Sequence, residues 1–147
     1  YKKQTRESTQ GDRMSAQPQS TQHFDVLVIG AGLSGIGMAC HISEKLPNKS
    51  YAILERRQDI GGTWDLFKYP GIRSDSDMFT FGFKFRPWME PKVLADGPSI
   101  KAYMKETAAE YGVMDNIHFG VNLTKVSWSS ETNTWTITAN NEETKEK

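Results

Sequence analysis

The apolar and polar positions of this chain fall into recognisable periods, and each period predicts an element. Residues 24–30, FDVLVIG, are short, β-branched and nearly all apolar, which predicts a strand buried on both faces of a parallel sheet. A glycine-rich turn follows. Beyond it Ile36, Ala39, Cys40, Ile42 and Leu46 recur at helical spacing while Ser34, His41 and Lys45 share the other side, and Pro47 with Asn48 ends the helix. Residues 51–55, YAILE, predict a second buried strand, so strand, helix and strand form a unit of the length of a right-handed parallel crossover.

The middle of the chain is less regular until Ile100, Tyr103, Met104, Thr107, Ala108 and Tyr111, which mark one face of an amphipathic helix with Ser99 before it and Gly112 after. IHFGV then predicts a short strand. Residues 123–140 give two alternating segments around SSETN, with Val126 and Trp128 opposed to Trp135 and Ile137, which predicts a β-hairpin. The fold class is therefore α/β, a parallel sheet with helices and a β-hairpin excursion. No internal repeat is visible.

Composition narrows the function classes. At 147 residues the chain has the size of one modest domain, and its 18 basic and 18 acidic side chains give zero formal net charge. That argues against nucleic acid or an anionic membrane as the main partner. The single cysteine, Cys40, forms no internal disulfide, and no apolar run is long enough to span a bilayer. A reducing, cytoplasmic compartment fits best. Residues 1–22 are mostly Gln, Ser, Thr and charge, which predicts a disordered polar tail ahead of a domain over 23–147. The chain starts with Tyr1, and Met14 stands just before the ordered pattern, so the first 13 residues read as upstream or neighbouring sequence.

The candidate chemistry begins at GAGLSG. Gly30, Gly32 and Gly35 have GxGxxG spacing after a predicted strand and at the start of a predicted helix. Gly30 permits the turn, Gly32 lets backbone approach a pyrophosphate, and Gly35 allows close helix–strand packing; Leu33 and Ser34 lie between them with the helix N–H groups. Glu55 ends the second strand about twenty residues further on, where a carboxylate accepts hydrogen bonds from an adenosine ribose. Arginines beside this site, here Arg56 and Arg57, also suit the 2′-phosphate of NADP, but Glu55 would repel that phosphate, so FAD or NAD is the better ligand.

The next stretch, ERRQDIGGTWDLFKYPGIRSDSD, adds a glycine pair and a tryptophan that a plain nicotinamide dehydrogenase does not need. It resembles the FAD-binding half of flavin-containing (class B) monooxygenases, specifically the Baeyer-Villiger monooxygenases of the ethionamide monooxygenase type, and the resemblance runs from Phe24 to about Ala139. The resemblance implies a Rossmann-like FAD-binding domain, with the pyrophosphate on the first glycine turn, the ribose on Glu55 and the flavin near Gly61, Gly62, Thr63 and Trp64. Tyr69, with Pro70 and Gly71, would shape the loop over the ring, and Asp75 matches a catalytic aspartate near flavin and nicotinamide that helps orient an active-site arginine. The implied reaction uses FAD, NADPH and dioxygen to convert a ketone to an ester or lactone, or to oxygenate sulfur or nitrogen.

The resemblance also sets expectations about what lies outside the chain. It lacks a second GxGxxG for NADPH, the F-x-G-x-x-x-H-x-x-x-W-P signature and the segment that supplies the arginine, so residues 23–147 are expected to be an incomplete, N-terminal FAD/NAD(P)-binding part that is inactive alone. A noncatalytic FAD-binding module and an NAD-dependent dehydrogenase remain the alternatives. Packing is the reading for FTFGFKF, residues 79–85, for Cys40, and as an alternative for Trp64. His23, His41 and His118 have no metal-ligand spacing, so no metal is expected.

Overall fold

The computed structural model describes residues 21–141; residues 1–20, most of the predicted polar tail, and the last six lie outside the described residues. Strand β1, Val26–Ile29, leads into helix α1, Leu33–Lys45, and back into β2, Tyr51–Glu55. Two four-residue helices follow, α2 at Thr63–Leu66 and α3 at Met78–Phe81. The long helix α4, Gly97–Glu110, then returns the chain to β3, Ile117–Phe119, and the hairpin β4, Val121–Ser129, with β5, Thr134–Asn141.

The sheet has the order β1-β2-β3, all parallel, with Val28 opposite Ile53 and Ile53 opposite Ile117. β2 is therefore the central strand, and its Ala52 and Ile53 are fully buried. β1 departs from expectation. Among the described residues it is an edge strand, its residues Val26 to Val28 are only half-buried, and Ile29 is 54% exposed. A run without polar interruptions reports that a strand is apolar on both sides, but it carries no information about how many neighbours are present to cover it.

α1 presents Ile36, Ala39, Cys40 and Ile42 to the core, as its period requires. Leu46 does not join them. It is the C-cap residue, with φ −131° and ψ 53°, and is 48% exposed. α4 packs Ile100, Met104 and Ala108 against this side of the molecule, contacting α1 and α2. Removing a Leu- or Ile-sized side chain from water stabilises by about 1.5–3 kcal/mol, and Ile36, Ile53, Ile100 and Met104 are fully buried, so these helices hold the sheet.

The N-terminus of α4 also differs from the expectation that Ser99 precedes it. The cap is Asp96, whose carboxylate accepts the Ser99 N–H at 2.9 Å, with Pro98 in the first turn. In the aromatic run at residues 79–85, α3 ends at Phe81, and Phe83 and Phe85 stack at 4.9 Å in the loop beyond. Tyr103 fixes that loop, since its hydroxyl accepts the Phe83 N–H at 2.8 Å and donates to the Arg86 carbonyl. The hairpin forms as predicted, with Val126 opposite Ile137 and Trp128 opposite Trp135, and Asn133 turning at φ 53°.

Candidate functional site

The site is built where β1 and β2 end. Gly30 leaves β1 with φ 92° while its N–H still donates to the Leu54 carbonyl at 2.8 Å, so the chain turns sharply without losing its tie to the sheet. Gly32 is the N-cap of α1, but with no side-chain cap and no acid in the first turn the leading amides are left for an external acceptor. Leu33 is half-buried against the core and Ser34 is exposed beside it. Gly35 is required by space: a Cβ there would stand 2.0 Å from the Gly30 carbonyl oxygen.

The second glycine segment comes back against the first. Gly61 donates its N–H to the Ala31 carbonyl at 3.0 Å, and a Cβ on Gly62 would stand 3.0 Å from the Cα of Gly32. Gly61 has φ 128° and Gly62 φ 53°, conformations that suit glycine. The two motifs thus form one backbone seam. Thr63 begins α2 and is exposed, while Trp64 is half-buried, edge-on to Phe81 at 5.8 Å and packed against the core. Trp64 is therefore at least partly a packing residue.

Glu55 is buried at 6% exposure, and its carboxylate is aimed into the glycine turn. One oxygen accepts the Ala31 N–H at 2.7 Å and the other the Arg57 N–H at 2.8 Å. Each oxygen retains acceptor capacity for a further donor, as a ribose hydroxyl would supply. In front of it opens a cleft of about 300 Å³ lined by Ile29, Gly30, Leu54, Glu55, Arg56, Val121, Asn122 and Leu123. The last three residues were not legible as site residues. Their position depends on Gly120, whose N–H donates to the Arg57 carbonyl at 3.1 Å and so swings the start of β4 over the cleft.

The two arginines separate. Arg56 lines the cleft and is exposed. Arg57 turns to Asp65, with its Nε 2.8 Å from Oδ2, and Lys101 binds the other oxygen of Asp65 at 2.6 Å. Lys101 and Lys105 each also reach Asp59 at 2.7 Å. Burial pushes the Asp59 carboxyl up, but the hydrogen bonds from Lys101 and Lys105 outweigh it and hold the group at about 2. Asp65 is lowered in the same way, burial being outweighed by Lys101 and Arg57. These pairs bind the loop between β2 and α2 to helix α4.

Tyr69 and Asp75 are less closely joined to the seam. Tyr69 is 59% exposed, beside Phe67 at 6.4 Å, and Gly71 turns after it with φ 81°. Asp75 lies in an exposed bend after buried Ser74, whose hydroxyl donates to the Ser76 carbonyl. A larger cleft of about 700 Å³ lies elsewhere, between the loop around Trp88 and α4, and none of the expected site residues line it. Among the described residues no cluster of His, Cys, Asp or Glu could hold a metal.

The uncapped helix amides, the bare seam and the acid-lined cleft suit the adenosine and pyrophosphate of a dinucleotide. Comparison with known proteins agrees. The family model for the NAD(P)-binding Rossmann-like domain matches residues 28–105. The chain is 60% identical over 125 residues to a protein described as an FAD-containing monooxygenase, MymA, of Mycobacterium tuberculosis, covering 85% of this chain and 25% of that one. It is 58% identical over 118 residues to the FAD-containing monooxygenase EthA of Mycolicibacterium smegmatis, covering 80% and 24%. Among solved structures it resembles an oxidized steroid monooxygenase bound to NADP, at a TM-score of 0.73 and 26% identity over 82% of this chain and 24% of that one. OTEMO complexed with FAD and NADP also superposes at 0.73, with 28% identity over 84% and 24%. The chain spans about a quarter of the length of the curated relatives it matches.

Proposed function

Because this chain belongs to the NAD(P)-binding Rossmann-like domain family, we propose that it binds FAD and forms the FAD-binding part of an NADPH- and oxygen-dependent flavoprotein monooxygenase of the Baeyer-Villiger type. The observation that carries the reading is the contact of Gly32 with Gly62 beside buried Glu55. A single glycine turn serves any dinucleotide, whereas a second bare segment packed against it is a feature that a plain nicotinamide dehydrogenase does not need.

In this reading residues 23–147 are the dinucleotide-binding part. The turn through Gly30, Gly32, Leu33, Ser34 and Gly35 holds the pyrophosphate, on the amides beyond Gly30 and Ala31 where the helix N-terminus favours negative charge. Glu55 accepts from the ribose, fixed in direction by the Ala31 and Arg57 amides, and Arg56 borders the same cleft. Gly61, Gly62, Thr63 and Trp64 lie along the flavin-ward side, Tyr69 shapes the loop over it, and Asp75, in its exposed bend, helps orient a catalytic partner. When bound, FAD supplies electron transfer from NADPH to dioxygen and delivery of one oxygen atom to a ketone, or to sulfur or nitrogen. The protein's part is binding, orientation and exclusion of water.

No helix among the described residues is long and apolar enough to cross a membrane. The buried free thiol of Cys40 supports a reducing, cytoplasmic setting.

Reconstitution tests the assignment. Protein incubated with FAD and freed of excess cofactor is expected to keep a flavin absorbance band, and not to retain NAD under the same treatment. Retention of NAD without flavin would favour the dehydrogenase reading. For the oxygenation itself, a polypeptide of the relatives' length supplied with NADPH, a ketone and ¹⁸O₂ is expected to yield ester carrying one labelled oxygen.

A further inference from the structure

We propose that Asp65 is a positioning residue for the cofactor, acting through Arg57 to hold both walls of the adenosine cleft. The inference rests on the FAD reading above and deepens it at the same site.

Arg57 is the hub of the cleft through three separate groups. Its N–H donates to Glu55 Oε1 at 2.8 Å and so aims the acid. Its carbonyl accepts the Gly120 N–H at 3.1 Å and so holds the start of β4, the opposite wall. Its guanidinium donates from Nε to Asp65 Oδ2 at 2.8 Å. That contact is the short one that fixes the side chain of the residue from which both walls hang; a longer bond of 3.5 Å runs from Arg57 Nη2 to the Asp65 backbone carbonyl. Asp65 is itself held firmly, since its side chain is 10% exposed and Lys101 Nζ occupies its second oxygen at 2.6 Å.

Asp65 also touches the other end of the site. Its N–H donates to the Gly62 carbonyl at 3.2 Å, and its Cβ lies 3.1 Å from where a Gly61 Cβ would stand. One residue therefore reaches the glycine pair through its backbone and the adenosine cleft through its carboxylate. The pairing also explains why only one of two adjacent arginines faces the cleft. With Arg57 committed to Asp65, Arg56 alone is left to face the cleft.

The test compares binding of FAD and of ADP, the adenosine-end probe, to the full chain and its variants, by flavin fluorescence quenching and calorimetry. Asp65→Asn and Arg57→Gln are each expected to weaken both ligands about tenfold, the loss of a charge-assisted hydrogen bond in a partly buried setting. The double variant is expected to be no weaker than either single one. Asp65→Glu is expected to restore part of the affinity. Lys105→Met breaks the separate pair with Asp59, leaves Asp65 and Arg57 untouched, and is expected to lower Tm while leaving both affinities within about twofold.

Unchanged FAD and ADP binding in Asp65→Asn would overturn the proposal, as would an equal loss in Lys105→Met, which would mark a general effect of stability. If Asp65→Asn does not fold, Arg57→Gln against Lys105→Met decides by the same comparison. Failure of the unsubstituted protein to bind either ligand would instead defeat the FAD reading, and this inference with it.

Discussion

Gly32 and Gly62 meet through bare backbone: a Cβ on Gly62 would lie 3.0 Å from the Gly32 Cα, and Gly62 holds φ 53° with ψ −117°. Gly62→Ala therefore carries both strain and a clash. It is expected to cost about 1–3 kcal/mol of stability and to weaken FAD binding at least tenfold. Gly112→Ala is the control, since its φ of 63° is strained but nothing stands within 4 Å of its Cβ position. Denaturant unfolding and FAD titration of the two variants separate strain from close approach, the control losing stability without the same loss of FAD.

The Glu55 carboxylate serves the fold before it serves a ligand. Glu55→Gln places an NH₂ against one of two backbone donors, Ala31 N–H at 2.7 Å or Arg57 N–H at 2.8 Å. A buried donor left without an acceptor costs about 1–3 kcal/mol. Lower unfolding free energy together with weaker ADP binding is the expected outcome. Full stability with weaker binding would show that the carboxylate acts on the ligand alone.

The strand–helix–strand unit and both glycine motifs were legible because each is a local constraint: a period, or a position with no room for a Cβ. Gly35, 2.0 Å from the Gly30 oxygen by its absent Cβ, is such a case. What escaped was set by tertiary neighbours. Ile29 is exposed at the end of β1, where it borders the cleft, and Val121, Asn122 and Leu123 enter the cleft through the bond from Gly120 to Arg57. The cap of α4 was present in the sequence as Asp96 and Pro98, a start signal that the apolar period beginning at Ile100 masked.

The ion pairs between the β2–α2 loop and α4 give the fold an acid limit. Asp59 ionises at about 2 in the folded protein, where the lysine hydrogen bonds outweigh burial, against about 4 for an unfolded aspartate. A depressed carboxyl stabilises fully above the unfolded value, and that stabilisation is lost as pH falls from about 4 through 2. Asp65 is shifted in the same direction and adds to the effect. Urea unfolding at pH 5, 4 and 3 is expected to show falling stability, with a shallower fall in Lys105→Met. An equal slope in that variant would assign the acid sensitivity elsewhere, for example to Asp25 and Asp96, whose carboxyls are held low by Lys49 with Ser50 and by Lys92 with Ser99.

Cys40 sits at 1% exposure on the core face of α1, and burial, aided by Glu110 and opposed by a backbone hydrogen bond, pushes its thiol up to about 11. Only the thiolate is a good nucleophile, and at pH 8 a thiol of this pKa is ionised at least about 100-fold less than a free one. Reaction with a disulfide reagent is therefore expected to be at least that much slower in the folded protein than in urea. Its role is packing, so Cys40→Ala is expected to be tolerated better than Cys40→Ser, whose hydroxyl would enter an apolar pocket at a cost of about 1–3 kcal/mol. Fast labelling of the folded protein at pH 8, with stability equal in the two variants, would place the thiol in contact with solvent rather than in the core.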